Sequence, residues 1–185
     1  MIETEIKTGQ ESRHYPETFR SKAFAAQSAK SELVLFTIQR RTPRAEDVQI
    51  QILYCGVCHS DLHTVRDEWS KFMPTVYPCV PGHEIVGRVV RVGSAVTKFK
   101  EGDMAAVGCM VDSCRACDPC RRDLQQFCEQ GAAWTYNSTE MDKRTPTYGG
   151  YSTRITASED FILKIPAGLD PAGAAPLLCA GITTY

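Results

Sequence analysis

Four closely spaced cysteines restrict how this chain can fold more than any other feature of its sequence. They follow the pattern C-x2-C-x2-C-x7-C and are Cys114, Cys117, Cys120 and Cys128. The two-residue gaps let neighbouring thiolates converge on one ion, and the longer gap lets the chain fold back and complete a tetrahedron. The spacing therefore predicts a small metal-binding lobe, residues 109–131, whose four thiolates leave no open coordination position.

The metal expected in this lobe is structural zinc. An iron–sulfur cluster also uses four thiolates, and the spacing allows either group, with zinc favoured. Four thiolates around a dication carry a net charge of roughly −2, which three arginines in the same segment can offset: Arg115, Arg121 and Arg122. Four unrelated surface cysteines are the alternative, and the tight spacing speaks against it.

Composition narrows the cellular setting and the possible partners. The 185 residues include nine cysteines, an odd number, and no apolar signal segment opens the sequence. This usage favours metal binding in a reducing cytoplasm over a disulfide framework. The net charge is −1 with scattered basic residues, so neither a nucleic-acid partner nor an anionic membrane surface is expected. No apolar run has the length of a membrane span.

Short apolar stretches recur along the chain and predict a mainly β fold with short helices. Alternating or β-branched residues bounded by turn residues mark the strands, which are 22–26, 33–38, 48–54, 85–92, 104–107, 151–156 and 161–165. Gly87, inside one of these strands, indicates a bulge or a close backbone approach. Strands of this length and spacing predict a small antiparallel barrel or sandwich.

The remaining stretches set the domain limits. Residues 1–20 are polar and are expected to form a flexible tail, and residues 21–185 a single domain. Residues 62–81 contain several prolines and are predicted to be irregular. Asp170 followed by proline predicts the start of a helix over 172–180, which Gly181 would interrupt.

A second constellation of metal ligands is predicted from two short motifs, GVCHSDLH and GHE. Cys58 and His83 are a thiolate and an imidazole of the kind that hold a catalytic zinc, which takes three protein ligands and keeps one position open. Asp61 can accept a hydrogen bond from the ring nitrogen of His83 that does not face the metal. Glu84 could approach the metal or orient its surroundings.

Two further features complete this second site. A third ligand must come from the remaining cysteines, and Cys179, in an apolar setting near a helix end, is preferred over Cys55, Cys79 and Cys109 without excluding them. A hydroxyl at Ser60 and an imidazole at His63 could carry a proton from the metal site to solvent. Trp69 and its apolar neighbours would either pack beneath a loop or line a substrate pocket.

Four motifs in register carry a family resemblance: GVCHSDLH, PGHEIVGRV, the four-cysteine pattern and LLCAGITTY. Over residues 22–185 the chain resembles the zinc-dependent medium-chain alcohol dehydrogenases, and within them the cinnamyl-alcohol-dehydrogenase-like aldehyde reductases. The resemblance implies a GroES-like antiparallel partial barrel with a zinc lobe. It also implies two zinc ions per chain, one structural and one catalytic. The implied activity is the interconversion of a primary alcohol and its aldehyde.

By the same resemblance, several residues acquire roles. The catalytic zinc would be held by Cys58, His83 and Cys179, with Glu84 as an alternative ligand. Ser60 and His63 match a proton relay, and Asp61 matches the carboxylate that supports the zinc ligands. His59 matches a contact to the pyrophosphate of NAD(P)(H), with NADP(H) favoured, and Thr183 a contact to the nicotinamide. Residues at substrate-pocket positions are Trp69 and Met110.

The sequence also departs from the family. The G-x-G-x-x-G turn of a Rossmann domain is absent from these residues, so we expect the 185 residues to bind zinc without dehydrogenase activity of their own. The full-length enzyme is expected to be a homodimer acting on a small-molecule alcohol or aldehyde. A non-catalytic GroES-like zinc-binding module is the second hypothesis, and a zinc-lobe nucleic-acid binder, which the balanced charge disfavours, is the third.

Overall fold

The structure is a computed structural model and describes residues 17–185. Eleven short strands and four short helices follow one another along this part of the chain. The strands are β1 Thr18–Ala25, β2 Val34–Arg41, β3 Asp47–Cys55, β4 Ile85–Val92, β5 Met104–Val107, β6 Met110–Asp112, β7 Ala133–Trp134, β8 Ser138–Thr139, β9 Pro146–Thr147, β10 Arg154–Ser158 and β11 Ile162–Lys164. The helices are α1 His59–Val65, α2 Asp118–Arg121, α3 Pro171–Ala174 and α4 Ala180–Thr184.

A five-stranded antiparallel sheet in the order β10-β3-β4-β5-β11 forms the centre of the domain. Its inner face buries Val48 and Ile50 of β3 against Ile85 and Val89 of β4. Three two-stranded sheets, β1-β2, β6-β7 and β8-β9, flank it. The predicted mainly β, GroES-like antiparallel partial barrel is therefore confirmed.

Gly87 shows why β3 and β4 can pair closely in the middle of this sheet. A Cβ atom at this position would lie 2.1 Å from the backbone oxygen of Gln51 on the neighbouring strand. The pairing of the two strands also shifts register between Ile52 and Tyr54. The close approach predicted at this glycine is confirmed. Beside Gly87 the extra residue lies on β3, and a second irregularity, between Gln49 and Ile50, leaves an extra residue on β4.

The N-terminal boundary differs from the prediction. Strand β1 begins at Thr18 because β2 continues to Arg41, which pairs with Thr18. The last three residues of the predicted tail 1–20 are therefore part of a strand, and residues 1–16 lie outside the described residues.

Two helical predictions need correction. The segment 62–81, predicted to be irregular, contains the end of α1. This helix begins at His59 and was not predicted from the sequence. The helix predicted over 172–180 is interrupted: α3 is followed by a 3-10 turn, Ala175–Leu178, and α4 begins only at Ala180. Pro176 lacks the N–H that a continuous helix requires, so α3 ends before it, at Ala174. The next helix begins after Cys179, whose backbone angles (φ −134°, ψ −73°) are not helical, and not after Gly181. The predicted start is confirmed, because the Asp170 carboxylate accepts a hydrogen bond from the Gly173 N–H at 2.8 Å.

Candidate metal and substrate site

The pairing of β3 with β4 brings the two short sequence motifs together. Cys55, the last residue of β3, pairs with Ile85, the first residue of β4. The chain leaving β3 therefore reaches Cys58 beside the chain that enters β4 through His83 and Glu84. Residues 25 positions apart in sequence, Cys58 and His83, meet because of this register.

Helix α1 fixes the side chains that follow Cys58. Cys58 is its N-cap residue and Asp61 its third helical residue. The Asp61 carboxylate accepts a hydrogen bond from the Cys58 backbone N–H at 3.0 Å, as an acidic residue at this position commonly does. An acidic residue three positions after the cap was the sequence signal that could have predicted this helix.

Four potential ligands converge at this point. Cys58, His83, Glu84 and Cys179 each offer one ligand atom, and these atoms all lie within 4.8 Å of one another. The sulfur atoms of Cys58 and Cys179 are 3.8 Å apart. Zn–S bonds of about 2.3 Å in tetrahedral geometry separate two sulfurs by roughly 3.8 Å. The donor set therefore fits zinc, and Cys179 is the cysteine that the structure brings to Cys58 and His83.

Asp61 supports this cluster from behind. Its carboxylate accepts hydrogen bonds from His83 Nδ1 at 3.1 Å and from the Gly82 backbone N–H at 2.9 Å. Burial alone would raise the pKa of Asp61, but the hydrogen bonds from His83, Cys58 and Gly82 outweigh it and lower that pKa. The carboxylate therefore stays ionised and holds the imidazole with Nε2 as the ring nitrogen left to bind a metal.

Glu84 occupies an unusual position for a carboxylate. The residue is 1% exposed, and neither of its carboxylate oxygens has a hydrogen-bond partner in the described structure. A Cβ atom at Gly56 would lie 1.9 Å from Glu84 Oε2, so a glycine is needed beside this side chain. A buried carboxylate without partners is costly unless a cation accompanies it, which agrees with a metal in the adjacent cluster.

The four-cysteine lobe has the geometry of a closed site. The four sulfur atoms lie within 4.8 Å of one another, and the sulfurs of Cys114 and Cys120 are 3.8 Å apart. Backbone N–H groups of Ala116 and Cys117 donate to the Cys114 sulfur at 3.5 and 3.4 Å. These hydrogen bonds lower the pKa of the Cys114 thiol, and a thiolate is the form that binds metal.

The relay residues lie on one face of α1. Ser60 lies at the cluster and borders the adjacent cavity, and His63 follows less than one turn later. The His63 Nδ1 atom contacts the carboxylate of Glu68, and its ring packs on Trp69 with centroids 5.0 Å apart. Glu68 was missed in the sequence because nothing in the spacing alone singles out one exposed carboxylate among several.

An apolar cavity of about 220 Å³ opens beside the metal cluster. Helix α1, the loop after it and the segment that runs from β7 into β8 contribute to its walls. The lining includes Ser60, Trp69, Met73, Cys109, Trp134 and Tyr136. His83 and Cys179 also face it. The alternative in which Trp69 lines a pocket therefore agrees with the structure.

Three other predicted residues lie away from this cavity. Met110 pairs with Trp134 across β6 and β7 and is not among the lining residues of the cavity, whereas its neighbour Cys109 is. The predicted substrate contact at Met110 stays a prediction. His59 and Thr183 are exposed to solvent, and their predicted cofactor contacts stay predictions.

The fold and the two donor clusters together define a GroES-like domain of the zinc-binding dehydrogenase class. Residues 44–167 match the family model of the alcohol dehydrogenase GroES-like domain, and the chain belongs to that family. In the part of the chain from residue 17 onward, no helix is both long and apolar enough to cross a membrane.

The chain is also similar to individual dehydrogenases and reductases. It is 53% identical to the NADP-dependent alcohol dehydrogenase C of Mycobacterium bovis over 163 residues, which cover 88% of this chain and 46% of that protein. It is 53% identical to the aldehyde reductase YahK of Escherichia coli over 165 residues, covering 89% of this chain and 46% of that protein. The chain thus spans about half the length of the curated relatives it matches.

Solved structures agree with this assignment. The crystal structure of CAD from Helicobacter pylori, complexed with NADP(H), superimposes with a TM-score of 0.85 at 40% identity. The match covers 91% of this chain and 48% of that chain. A cinnamyl alcohol dehydrogenase from Sorghum bicolor gives the same TM-score, 0.85, and identity, 40%, over 90% of this chain and 46% of that one.

Proposed function

We propose that this chain is the zinc- and substrate-binding portion of an NADP(H)-dependent oxidoreductase that interconverts a primary alcohol and its aldehyde. The observation that carries the proposal is the cluster of Cys58, His83, Glu84 and Cys179 beside an apolar cavity of about 220 Å³. A purely structural metal site has no need of a cavity, so a non-catalytic GroES-like module is the weaker hypothesis.

The residues of the cluster are proposed to bind the catalytic zinc ion in two different roles. Cys58, His83 and Cys179 are the proposed ligands of the catalytic ion, and the buried carboxylate of Glu84 is the alternative ligand. When bound there, zinc supplies Lewis-acid polarisation of the substrate oxygen, and the nicotinamide cofactor supplies hydride exchange. A second zinc is proposed for the four-cysteine lobe, giving two ions per chain.

Proton transfer is assigned to a short path along α1. The Ser60 hydroxyl borders the cavity and accepts the proton that the alcohol loses during oxidation. His63 lies three residues further along the helix and can pass the proton towards solvent. Contact between its Nδ1 and Glu68 fixes the orientation of the ring.

The remaining assignments concern the cofactor and the whole enzyme. NADP(H) is favoured because one relative is an NADP-dependent alcohol dehydrogenase and the similar Helicobacter pylori enzyme was solved in complex with NADP(H). His59 and Thr183, both exposed near the cluster, are proposed to contact the pyrophosphate and the nicotinamide. The full-length protein is proposed to be a cytoplasmic homodimer with a small-molecule alcohol or aldehyde as its substrate.

A chimaera tests this function directly. This chain is joined to the segment of aldehyde reductase YahK that follows its matching region, which restores a complete length. We expect aldehyde-dependent NADPH oxidation that is lost in the Cys58→Ser variant of the chimaera. Turnover that survives Cys58→Ser, with the zinc content unchanged, would disprove the assignment of the cluster.

A further inference from the structure

Two separate stretches of chain form opposite walls of the apolar cavity. One wall is the loop after α1, which contributes Trp69 and Met73. The other is the segment that runs from β7 into β8, which contributes Trp134, Tyr136 and Asn137. The distance between these walls decides how wide a molecule can enter the cavity.

Asn137 is the residue that joins the two walls by hydrogen bonds. Its side-chain oxygen accepts a hydrogen bond from the Val76 backbone N–H at 2.9 Å, and its amide nitrogen donates to the Pro74 backbone oxygen at 3.4 Å. In residues 17–185, these are the hydrogen bonds recorded between the loop 66–80 and the segment 133–139. One side chain, that of Asn137, therefore joins the two walls of the cavity.

The backbone of Asn137 is adapted to this position. Its φ angle is +50°, which lies in the left-handed region that asparagine tolerates better than most residues. The residue before it, Tyr136, packs its ring on His83, with the ring centroids 5.6 Å apart. The bridge therefore begins one residue away from a side chain that packs on the metal cluster.

The loop 66–80 has other hydrogen-bond anchors, and in residues 17–185 none of them reaches the segment 133–139. Its end is held by backbone hydrogen bonds between Cys79 and Ala26. The Thr75 hydroxyl donates to the Thr64 backbone oxygen at 2.6 Å, and the Tyr77 hydroxyl to the Val65 backbone oxygen at 2.8 Å. These two hydrogen bonds attach the loop to α1. Tyr77 of the loop and Tyr136 of the opposite segment also pack on one buried cluster, and the hydrogen bonds that join the two walls directly are those of Asn137.

We propose that Asn137 is a specificity-determining positioning residue, which bridges the two walls and limits the cavity to narrow substrates. The proposal rests on the proposed function, because the cavity is assigned there as the substrate site. It acts without touching the reacting atoms: the amide side chain fixes Pro74 and Val76, and through them the wall that carries Trp69 and Met73.

Cys109 provides a measurement of cavity width that needs neither cofactor nor turnover. It lines the cavity and is not among the residues of either metal cluster. Zinc-loaded protein is treated separately with N-ethylmaleimide and with the much wider N-pyrenylmaleimide, and labelling of the Cys109 peptide is followed by mass spectrometry. The ratio of the two rates reports the opening and cancels changes in thiol reactivity.

Three variants separate the bridge from other effects of the substitution. Asn137→Gly removes both hydrogen bonds and accepts the positive φ angle, and Asn137→Ala removes both while keeping a Cβ atom. Asn137→Asp keeps the acceptor for Val76. Asp103→Ala is the matched control, because it removes a carboxylate that accepts from a backbone N–H, that of Lys100 at 3.0 Å, in a turn outside the cavity lining.

We expect the preference for the narrow reagent to fall about fivefold in the glycine and alanine variants. This is the factor for the loss of one hydrogen bond of ordinary strength, because the bond to Val76 is 2.9 Å long whereas the bond to Pro74, at 3.4 Å, is weak. The aspartate variant should fall less, and the control should match the parent protein. Amide hydrogen exchange at Val76 should accelerate in the same variants. Faster exchange at Val76 with an unchanged labelling ratio, in whichever of the two variants folds and retains zinc, would overturn the proposal. Failure of the chimaera to reduce aldehydes would leave this result unaffected.

Discussion

At the scale of single residues, the site depends on a few side chains that each hold several neighbours in place. Asp61 illustrates this most clearly, because one carboxylate satisfies the cap of α1, the Gly82 N–H and the His83 ring. Its role could be predicted from the sequence, since a metal-ligating histidine commonly donates its other ring N–H to a nearby carboxylate. Glu68 could not, because its contact with His63 depends on how the loop after α1 turns.

The first residue-scale prediction concerns this support. Asp61→Asn should lower the affinity of the catalytic site for zinc by ~10–100-fold, because the amide no longer stabilises the His83 ring by charge. Zinc affinity is measured by competition with a chromophoric chelator, and Asp103→Asn, a turn carboxylate outside both clusters, is the control. The lobe should keep its zinc in both variants. This role would be contradicted if Asp61→Asn bound zinc at the catalytic site as tightly as Asp103→Asn does.

A second residue-scale prediction concerns the proton path and uses the chimaera. Ser60→Ala should retain zinc and slow alcohol oxidation by ~10²–10⁴-fold, the usual range for a general acid–base group. His63→Gln should be milder, because water can replace the outer member of the path. Glu68→Gln should resemble His63→Gln. Turnover and zinc content are measured together, and an unaltered rate in Ser60→Ala would remove this hydroxyl from the mechanism.

At the scale of secondary structure, sequence patterns predicted strands better than helices. The strands at residues 48–54, 85–92 and 104–107 were found nearly to their ends, because alternation and β-branched residues mark them in the sequence. Helix α1 was missed because its cap is a cysteine, which is not a usual capping residue. The helix before Cys179 was overextended because Pro176 was given too little weight against the apolar run around it.

The pairing of β3 with β4 is the element that places the cluster, so disturbing it should be costly. In Gly87→Ala, the new Cβ would lie 2.1 Å from the Gln51 oxygen, and overpacking of this kind destabilises by about 1–3 kcal/mol. Gly108→Ala is the control, because its Cβ would lie 3.4 Å from the nearest atom, the Leu178 oxygen. Urea denaturation of zinc-loaded protein should give a lower midpoint for Gly87→Ala alone, and equal midpoints would argue against a tight strand pairing.

At the scale of the whole molecule, the fold and both donor clusters could be predicted from four motifs, whereas the cavity could not. Cavity walls come from residues as distant in sequence as Trp69, Cys109 and Trp134, and no local pattern relates them. The described part of the chain also exposes large apolar side chains on several elements, among them Leu53, Leu163, Leu177 and Ile182. Exposed apolar area of this extent favours association with another surface.

Cofactor binding is the prediction that belongs to this scale. The 185 residues should bind zinc but show no measurable affinity for NADPH, because His59 and Thr183 alone cannot offset the cost of immobilising a flexible dinucleotide. Most contacts to such a cofactor come from the glycine turn of a Rossmann domain. Titration of NADPH fluorescence against the purified chain checks this. Saturable binding in the micromolar range would show that these residues suffice.

The account depends most on two separate zinc sites, and metal stoichiometry tests it most directly. Elemental analysis of metal-replete protein should give about two zinc ions per chain, one in each donor cluster. Cys58→Ser should lose the ion beside the cavity and keep the other, and Cys117→Ser should lose the ion in the lobe and destabilise the fold, because structural zinc contributes to folding. A replete protein with one zinc ion or none, or two variants that lose the same ion, would contradict the account.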